Sequence, residues 1–181
     1  MLEDFVGVVE EKIGLREGEY YVVAHSFGCR IAVLLANKYP ERIEKMVLTG
    51  AAGIKPRFNL KVWLKIKLYK LWKKLKNKGR GFLTGSADYR NLNTAGKITF
   101  QNIIKRDLKQ EIKKLTVPTL LIWGKCDKST PLYMGKLWTR IQKDSILKCY
   151  RQAGHFCFVD ESIRFTGDAI RFFESKIKNE K

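Results

Sequence analysis

Apolar residues recur along this chain in two rhythms. Four short runs, 20–24, 45–49, 118–123 and 145–150, are rich in valine, isoleucine, leucine and aromatic residues. They are too short for helices, and the run from Thr116 to Trp123 is apolar along nearly its whole length. A strand covered on both faces of a parallel sheet reads this way. Elsewhere the apolar residues fall at helical spacing. Leu2, Phe5, Val6, Val9 and Ile13 mark residues 1–14, and Ile31, Ala32, Leu35 and Ala36 mark 27–38. In 58–76 the stripe is Leu60, Leu64, Leu68, Leu71 and Leu75, broadened by Trp63, Ile66, Tyr69 and Trp72. Another segment becomes helical near Asp160. Strands alternating with amphipathic helices predict an α/β fold with a mainly parallel sheet of about four strands.

The junction between the first strand and the helix after it is the most informative place in this pattern. Residues 20–28 read Tyr-Tyr-Val-Val-Ala-His-Ser-Phe-Gly. A strand that ends in serine between small residues, with a helix following at once, has the layout of a nucleophile elbow. The backbone reverses so tightly that only small side chains fit at Ala24 and Gly28, and Ser26 stands at the apex. A serine hydroxyl attacks only when a base takes its proton and an acid orients that base. The chain has two histidines. His25 adjoins the serine, where neighbouring residues of a sharp turn face different ways, so it reads as packing beside the site. His155 follows the fourth strand run, in Gln-Ala-Gly-His-Phe, on a loop at a strand's carboxyl end where open α/β sheets gather their chemistry. Asp127 lies on the corresponding loop, three residues past Gly124. Asp144 and Asp160 read as turn and helix-start residues.

Ser26, Asp127 and His155 therefore follow the order nucleophile, acid, base. In this order the chain resembles the α/β-hydrolase superfamily. The matching stretches are Val23-Ala24-His25-Ser26-Phe27-Gly28; residues 39–43 with 46–50; residues 118–127 with Pro131; and Ala153-Gly154-His155-Phe156. Residues 85–91 are similar to the cap region of small bacterial members. The resemblance implies a partial α/β-hydrolase fold with flanking helices and a helical basic cap insertion. Residues 1–54 would be the first part of the core with the elbow, 55–114 the cap, and 115–181 the second part with acid and histidine. It implies a serine hydrolase that cleaves small or medium carboxylic esters through an acyl-serine. Ser26, Asp127 and His155 would be catalytic, the backbone N–H of Phe27 would be an oxyanion donor, and no cofactor or metal would be needed. The serine argues against the dehalogenase branch, which uses aspartate. Amide and carbon–carbon bond hydrolysis occur on similar scaffolds and stay open.

The family places several strands, and the loop giving a second oxyanion amide, ahead of the nucleophile strand. Here residues 1–14 read as one helix. The expectation is half a sheet with the nucleophile strand at its edge, apolar side chains exposed there. A missing segment, a partner that completes the sheet, or a degenerate domain without catalysis would each account for it, and the sequence leaves the three open.

Charge changes the picture in one region. The net charge of +18 is spread unevenly. Residues 1–54 hold six basic and eight acidic side chains, 55–114 hold 18 and three, and 115–181 hold 12 and seven. The excess lies in the cap insertion, where lysines fill most places between the leucines of 58–76. A cap packing its leucines over the site, with lysines solvated, is the favoured reading. A basic amphipathic helix on an anionic membrane surface is the second. A nucleic-acid partner is disfavoured, because no binding motif accompanies the charge. The cysteines, Cys29, Cys126, Cys149 and Cys157, form no C-x-x-C pair and read as reduced, mostly buried thiols of a cytoplasmic protein. No secretory leader or membrane-spanning run is expected.

Overall fold

A computed structural model describes residues 2–14, 18–55 and 93–175. Their elements are α1 (Leu2–Ile13), β1 (Tyr20–His25), α2 (Gly28–Lys38), β2 (Ile43–Thr49), α3 (Thr94–Lys105), α4 (Lys109–Lys113), β3 (Thr119–Gly124), α5 (Tyr133–Ile141), β4 (Ser145–Tyr150), α6 (Cys157–Asp160) and α7 (Ser162–Glu174). The chain divides into two compact units, residues 1–54 with 106–181, and residues 55–105. In the second unit, α3 begins at an asparagine, whose Asn93 Oδ1 accepts the Gly96 N–H at 2.7 Å. That bond satisfies one of the amides a helix start leaves open. The basic helix expected over 58–76 and the cap-like stretch 85–91 lie outside the described residues.

The first unit holds a four-stranded sheet in the order β1-β2-β3-β4, every pair parallel. This is the sheet the apolar runs predict, and it has the strand order of the chain itself. Parallel neighbours put all four carboxyl ends on one edge. His25 pairs with Thr49 at the end of β1 and β2, and Gly124 pairs with Tyr150 at the end of β3 and β4.

Successive strand residues face opposite sides, and both sides of the middle strands are covered. On one, Val47, Leu120, Ile122 and Tyr150 pack with Ala169, Phe165, Phe172 and Phe173 of α7. On the other, Trp123 lies so close to α5 that a Cβ on Gly135 would come within 2.8 Å of its ring. Trp123 Nε1–H donates to the Thr130 carbonyl at 2.6 Å, so the largest buried side chain of β3 spends its polar atom on the loop that carries the acid. Lys45 is 2% exposed in β2. Its ammonium donates to the carbonyls of Phe172 (3.1 Å), Phe173 (2.6 Å) and Ser175 (2.5 Å) at the carboxyl end of α7. A buried cation is tolerable there because it meets carbonyls and the negative end of the helix dipole.

Among the described residues β1 pairs on one side only, and Tyr21 and Val23 are about half exposed, 50% and 55%. The edge expected from the sequence is therefore present. Two of the four cysteines are buried, Cys29 and Cys157. Cys126 is exposed and Cys149 intermediate, so the expectation of mostly buried thiols holds for half of them. No helix among the described residues is long and apolar enough to cross a membrane.

Candidate active site

Three of the four strands release a site residue at the same edge of the sheet. Ser26 follows β1 directly, Asp127 lies three residues past β3, and His155 lies five past β4. Ser26 has φ +48°, and no other described non-glycine residue has a positive φ. A side chain in this left-handed region costs free energy and persists where surrounding contacts hold it. Here the Ser26 N–H donates to the Thr49 carbonyl at 3.0 Å, and the Ser26 carbonyl accepts the N–H groups of Ala52 (3.1 Å) and Cys29 (3.2 Å). Gly28 then opens α2, with Phe27 as its cap. A Cβ on Gly28 would sit 3.9 Å from Ala24 Cβ. Alanine is therefore compatible with the tight turn at the position before the histidine.

The three side chains form one hydrogen-bonded line. His155 Nδ1 lies 2.8 Å from Asp127 Oδ2, and His155 Nε2 lies 3.0 Å from Ser26 Oγ. A carboxylate accepts only, so Nδ1 carries the proton and Nε2 is left to accept from the serine hydroxyl. The Asp127 side chain is fully covered, and that of His155 is 17% exposed.

Asp127 is held by its own loop. Its Oδ1 accepts the N–H groups of Ser129 (2.8 Å) and Thr130 (2.9 Å). The Thr130 hydroxyl reaches Oδ2 at 2.8 Å and the Gly50 carbonyl at 3.0 Å. Burial pushes the Asp127 carboxyl up, but the bonds from His155 and Thr130 outweigh it and hold the group below the ordinary aspartate range. Thr130 has no motif signature. Its part in the site follows from a three-residue turn that only the folded loop reveals.

Two glycines decide how closely the histidine can approach. Gly50, just past β2, has φ +50°, and a Cβ there would lie 3.0 Å from His155 Nδ1. On Gly124, at the end of β3, a Cβ would lie 2.1 Å from the Gly154 carbonyl oxygen, which no side chain permits. The His155 loop thus lies directly on β3. It is tied down by Lys125 N–H to the Tyr150 carbonyl (2.8 Å), by Cys126 N–H to the Ala153 carbonyl (3.0 Å), and by Gly154 N–H to Asp160 Oδ2 (2.7 Å). Asp160 therefore clamps the histidine loop from the last position of α6, not from a helix start as its sequence context suggests. The residue at the N-terminal cap position of α7 is Glu161, whose side chain makes no capping bond.

His25 does not reach the serine as a base. Its Nδ1 lies 3.1 Å from the Thr49 carbonyl, and its ring packs against those of His155, Phe156 and Phe158. Neither of the two buried cysteines is poised to attack. Burial pushes the Cys29 thiol far above the usual range, and it pushes Cys157 up as well. Among the described residues no group of three histidine, cysteine, aspartate or glutamate side chains could hold a metal ion.

A serine hydroxyl, an imidazole and a buried carboxylate in this order can remove a proton from the hydroxyl and stabilise the imidazolium that results. Residues 2–71 match the family profile described as "alpha/beta hydrolase fold". No curated protein matches the sequence. Among solved structures the chain is similar to an alpha/beta hydrolase enzyme from the metagenome of lagoon sediments at Mar Chica, Morocco. The two are 20% identical with a TM-score of 0.69, over 96% of this chain and 69% of the other. A meta-cleavage product hydrolase from Pseudomonas fluorescens is 20% identical, TM-score 0.66, over 95% and 71%. An esterase from Exiguobacterium antarcticum is 20% identical, TM-score 0.67, over 97% and 73%.

Proposed function

From the premise that this chain carries the α/β-hydrolase fold, we propose that it is a serine hydrolase that cleaves carboxylic esters through an acyl-serine at Ser26. The observation that carries this reading is the continuous line Ser26 Oγ, His155 Nε2, His155 Nδ1, Asp127 Oδ2, with contacts of 3.0 and 2.8 Å.

In the proposed reaction His155 takes the Ser26 proton as Oγ attacks the ester carbonyl carbon, and Asp127 stabilises the imidazolium. The tetrahedral oxyanion is met by the Phe27 N–H, the amide that follows the nucleophile at the start of α2, where the helix dipole also favours negative charge. His155 then gives its proton to the leaving alcohol as the carbon–oxygen bond breaks. Water attacks the acyl-serine by the same path, His155 again taking and returning a proton, and the carboxylic acid leaves. Phe156, 55% exposed beside the base, offers an apolar surface that suits small or medium esters. Among the fold's relatives named above is an esterase, which supports the choice of ester over amide.

The direct test is pre-steady-state hydrolysis of p-nitrophenyl acetate. An acyl-serine intermediate gives a burst of nitrophenolate that scales with enzyme concentration. Hydrolysis with no burst, abolished by a chelator but not by Ser26→Ala, would reject the reading.

A second reading has one observation in its favour, the open edge of β1 with Tyr21 and Val23 half exposed. In it, the chain keeps the three side chains but lacks a second oxyanion donor. One missing donor costs about 100- to 1,000-fold in turnover, so this reading predicts a burst slower by about that factor, not its absence.

A further inference from the structure

His25 is the last residue of β1, directly before the nucleophile, and the mechanism above gives it no task. Its surroundings are specific. The Nδ1–H donates to the Thr49 carbonyl at 3.1 Å, the same carbonyl that receives the Ser26 N–H. Its ring centroid is 4.7 Å from that of His155, 5.1 Å from Phe156 and 5.0 Å from Phe158. The titratable groups that bear on it are His155 and, beyond it, Asp127.

We propose that His25 is a positioning residue of the relay: its neutral ring, pinned to the Thr49 carbonyl, is a wall on which the His155 imidazole rests while Nε2 faces Ser26. The inference rests on the hydrolase reading. Its geometry is independent of substrate, because the wall and the serine belong to consecutive residues of one strained turn. Whatever fixes Ser26 also fixes the ring beside its base. Burial first, and then the nearness of His155, keep His25 below the ordinary imidazole range, against the opposing pull of the Thr49 carbonyl and Asp127. The ring therefore stays uncharged while its neighbour carries the transferred proton. Two imidazolium rings at this separation would repel each other.

The test compares the wild type with His25→Ala, which removes the wall, and His25→Phe, which restores a ring without the Thr49 bond. The readouts are kcat and KM for p-nitrophenyl acetate and the rate of labelling by a fluorophosphonate. His25→Ala is expected to lower kcat and the labelling rate by about 10- to 100-fold, the loss a misplacement near 1 Å produces, with KM within about twofold. His25→Phe is expected to recover most of that loss. A second arm follows the His25 ring protons by NMR. In His155→Gln, His25 should titrate at a higher pH than in the wild type, since a neighbouring charge has been removed. Wild-type labelling by His25→Ala would overturn the proposal. So would a folded His25→Phe no faster than His25→Ala, or an unmoved titration of His25 in His155→Gln. If the wild type itself is never labelled, the hydrolase reading fails, and the NMR arm still decides whether the two rings are coupled.

Discussion

Asp168 on α7 lies beneath the strand that leads to the histidine loop, and the stability it contributes can be worked out. The residue is 5% exposed. Its carboxylate accepts from Lys148 Nζ at 2.8 Å and the Tyr150 hydroxyl at 2.9 Å, both on β4, and from Arg171 at 2.6 Å. Burial alone would raise its pKa. The three donors and the nearby positive charge of Lys148 outweigh burial and bring it from 3.8 to about 2. A carboxyl whose folded pKa is depressed stabilises the fold above its unfolded pKa, and that stability is lost as pH falls through the folded value. The window is therefore roughly pH 4 down to 2. Nearly two pH units correspond to about 2 kcal/mol, of which about half is gone by pH 3. Asp168→Asn keeps the shape and removes the charge. Urea unfolding followed by tryptophan fluorescence should show the variant less stable by about 2 kcal/mol at pH 7, with the gap narrowing by half at pH 3. A gap of constant size between pH 6 and pH 3 would refute the electrostatic account and leave Asp168 as a shape-filling residue. A vanishing gap at every pH would show that the three donors are equally content with water.

Three further predictions address the site and its support. Gly124→Ala drives a Cβ into the Gly154 carbonyl oxygen, and backbone cannot yield as a side chain would. Thermal unfolding should show a loss of about 2 kcal/mol or more, with activity falling further than stability because the His155 loop is displaced. Asp127→Asn should leave the fold intact and lower kcat by up to about 10⁴-fold, as loss of the orienting carboxylate does in serine-protease triads; steady-state hydrolysis at pH 7 checks it. Lys45→Met removes the cation that caps α7 while keeping its apolar stem. It should cost about 1 to 3 kcal/mol through carbonyls left unmet, with little change in the labelling of Ser26.

The candidate site was legible in the sequence where chemistry needs a rare residue at a strand end. Ser26, Asp127 and His155 each follow an apolar run, and the observed strands lie within two residues of those runs at either end. The elbow could be read from Ala24 and Gly28, since a tight turn admits only small side chains. What could not be read is what the residues lean on. Thr130 bonds the acid, Gly50 makes room for the imidazole, and the Thr49 carbonyl gathers both Ser26 and His25. The first role depends on the turn of a loop and the other two on how neighbouring strands and their loops pair, neither of which a single sequence displays. The helix α5, Tyr133–Ile141, also went unpredicted. The signal was there to be read, since Tyr133, Met134, Leu137, Trp138 and Ile141 fall at helical spacing; what the pattern does not show is that Gly135 lets the helix press on Trp123. Asp160 misled for the opposite reason. Its place before a helical segment resembles a cap, whereas the loop folds back so that it bonds the Gly154 amide six residues earlier.

The most direct measurement is covalent capture. The wild-type chain, Ser26→Ala and His155→Ala would each be treated with a fluorophosphonate, and the modified peptide located by mass spectrometry. The account predicts modification at Ser26 in the wild type and none in either variant, because the hydroxyl attacks only while the imidazole accepts its proton. A folded wild-type chain that takes no label, or label that persists when His155 is replaced, would contradict it.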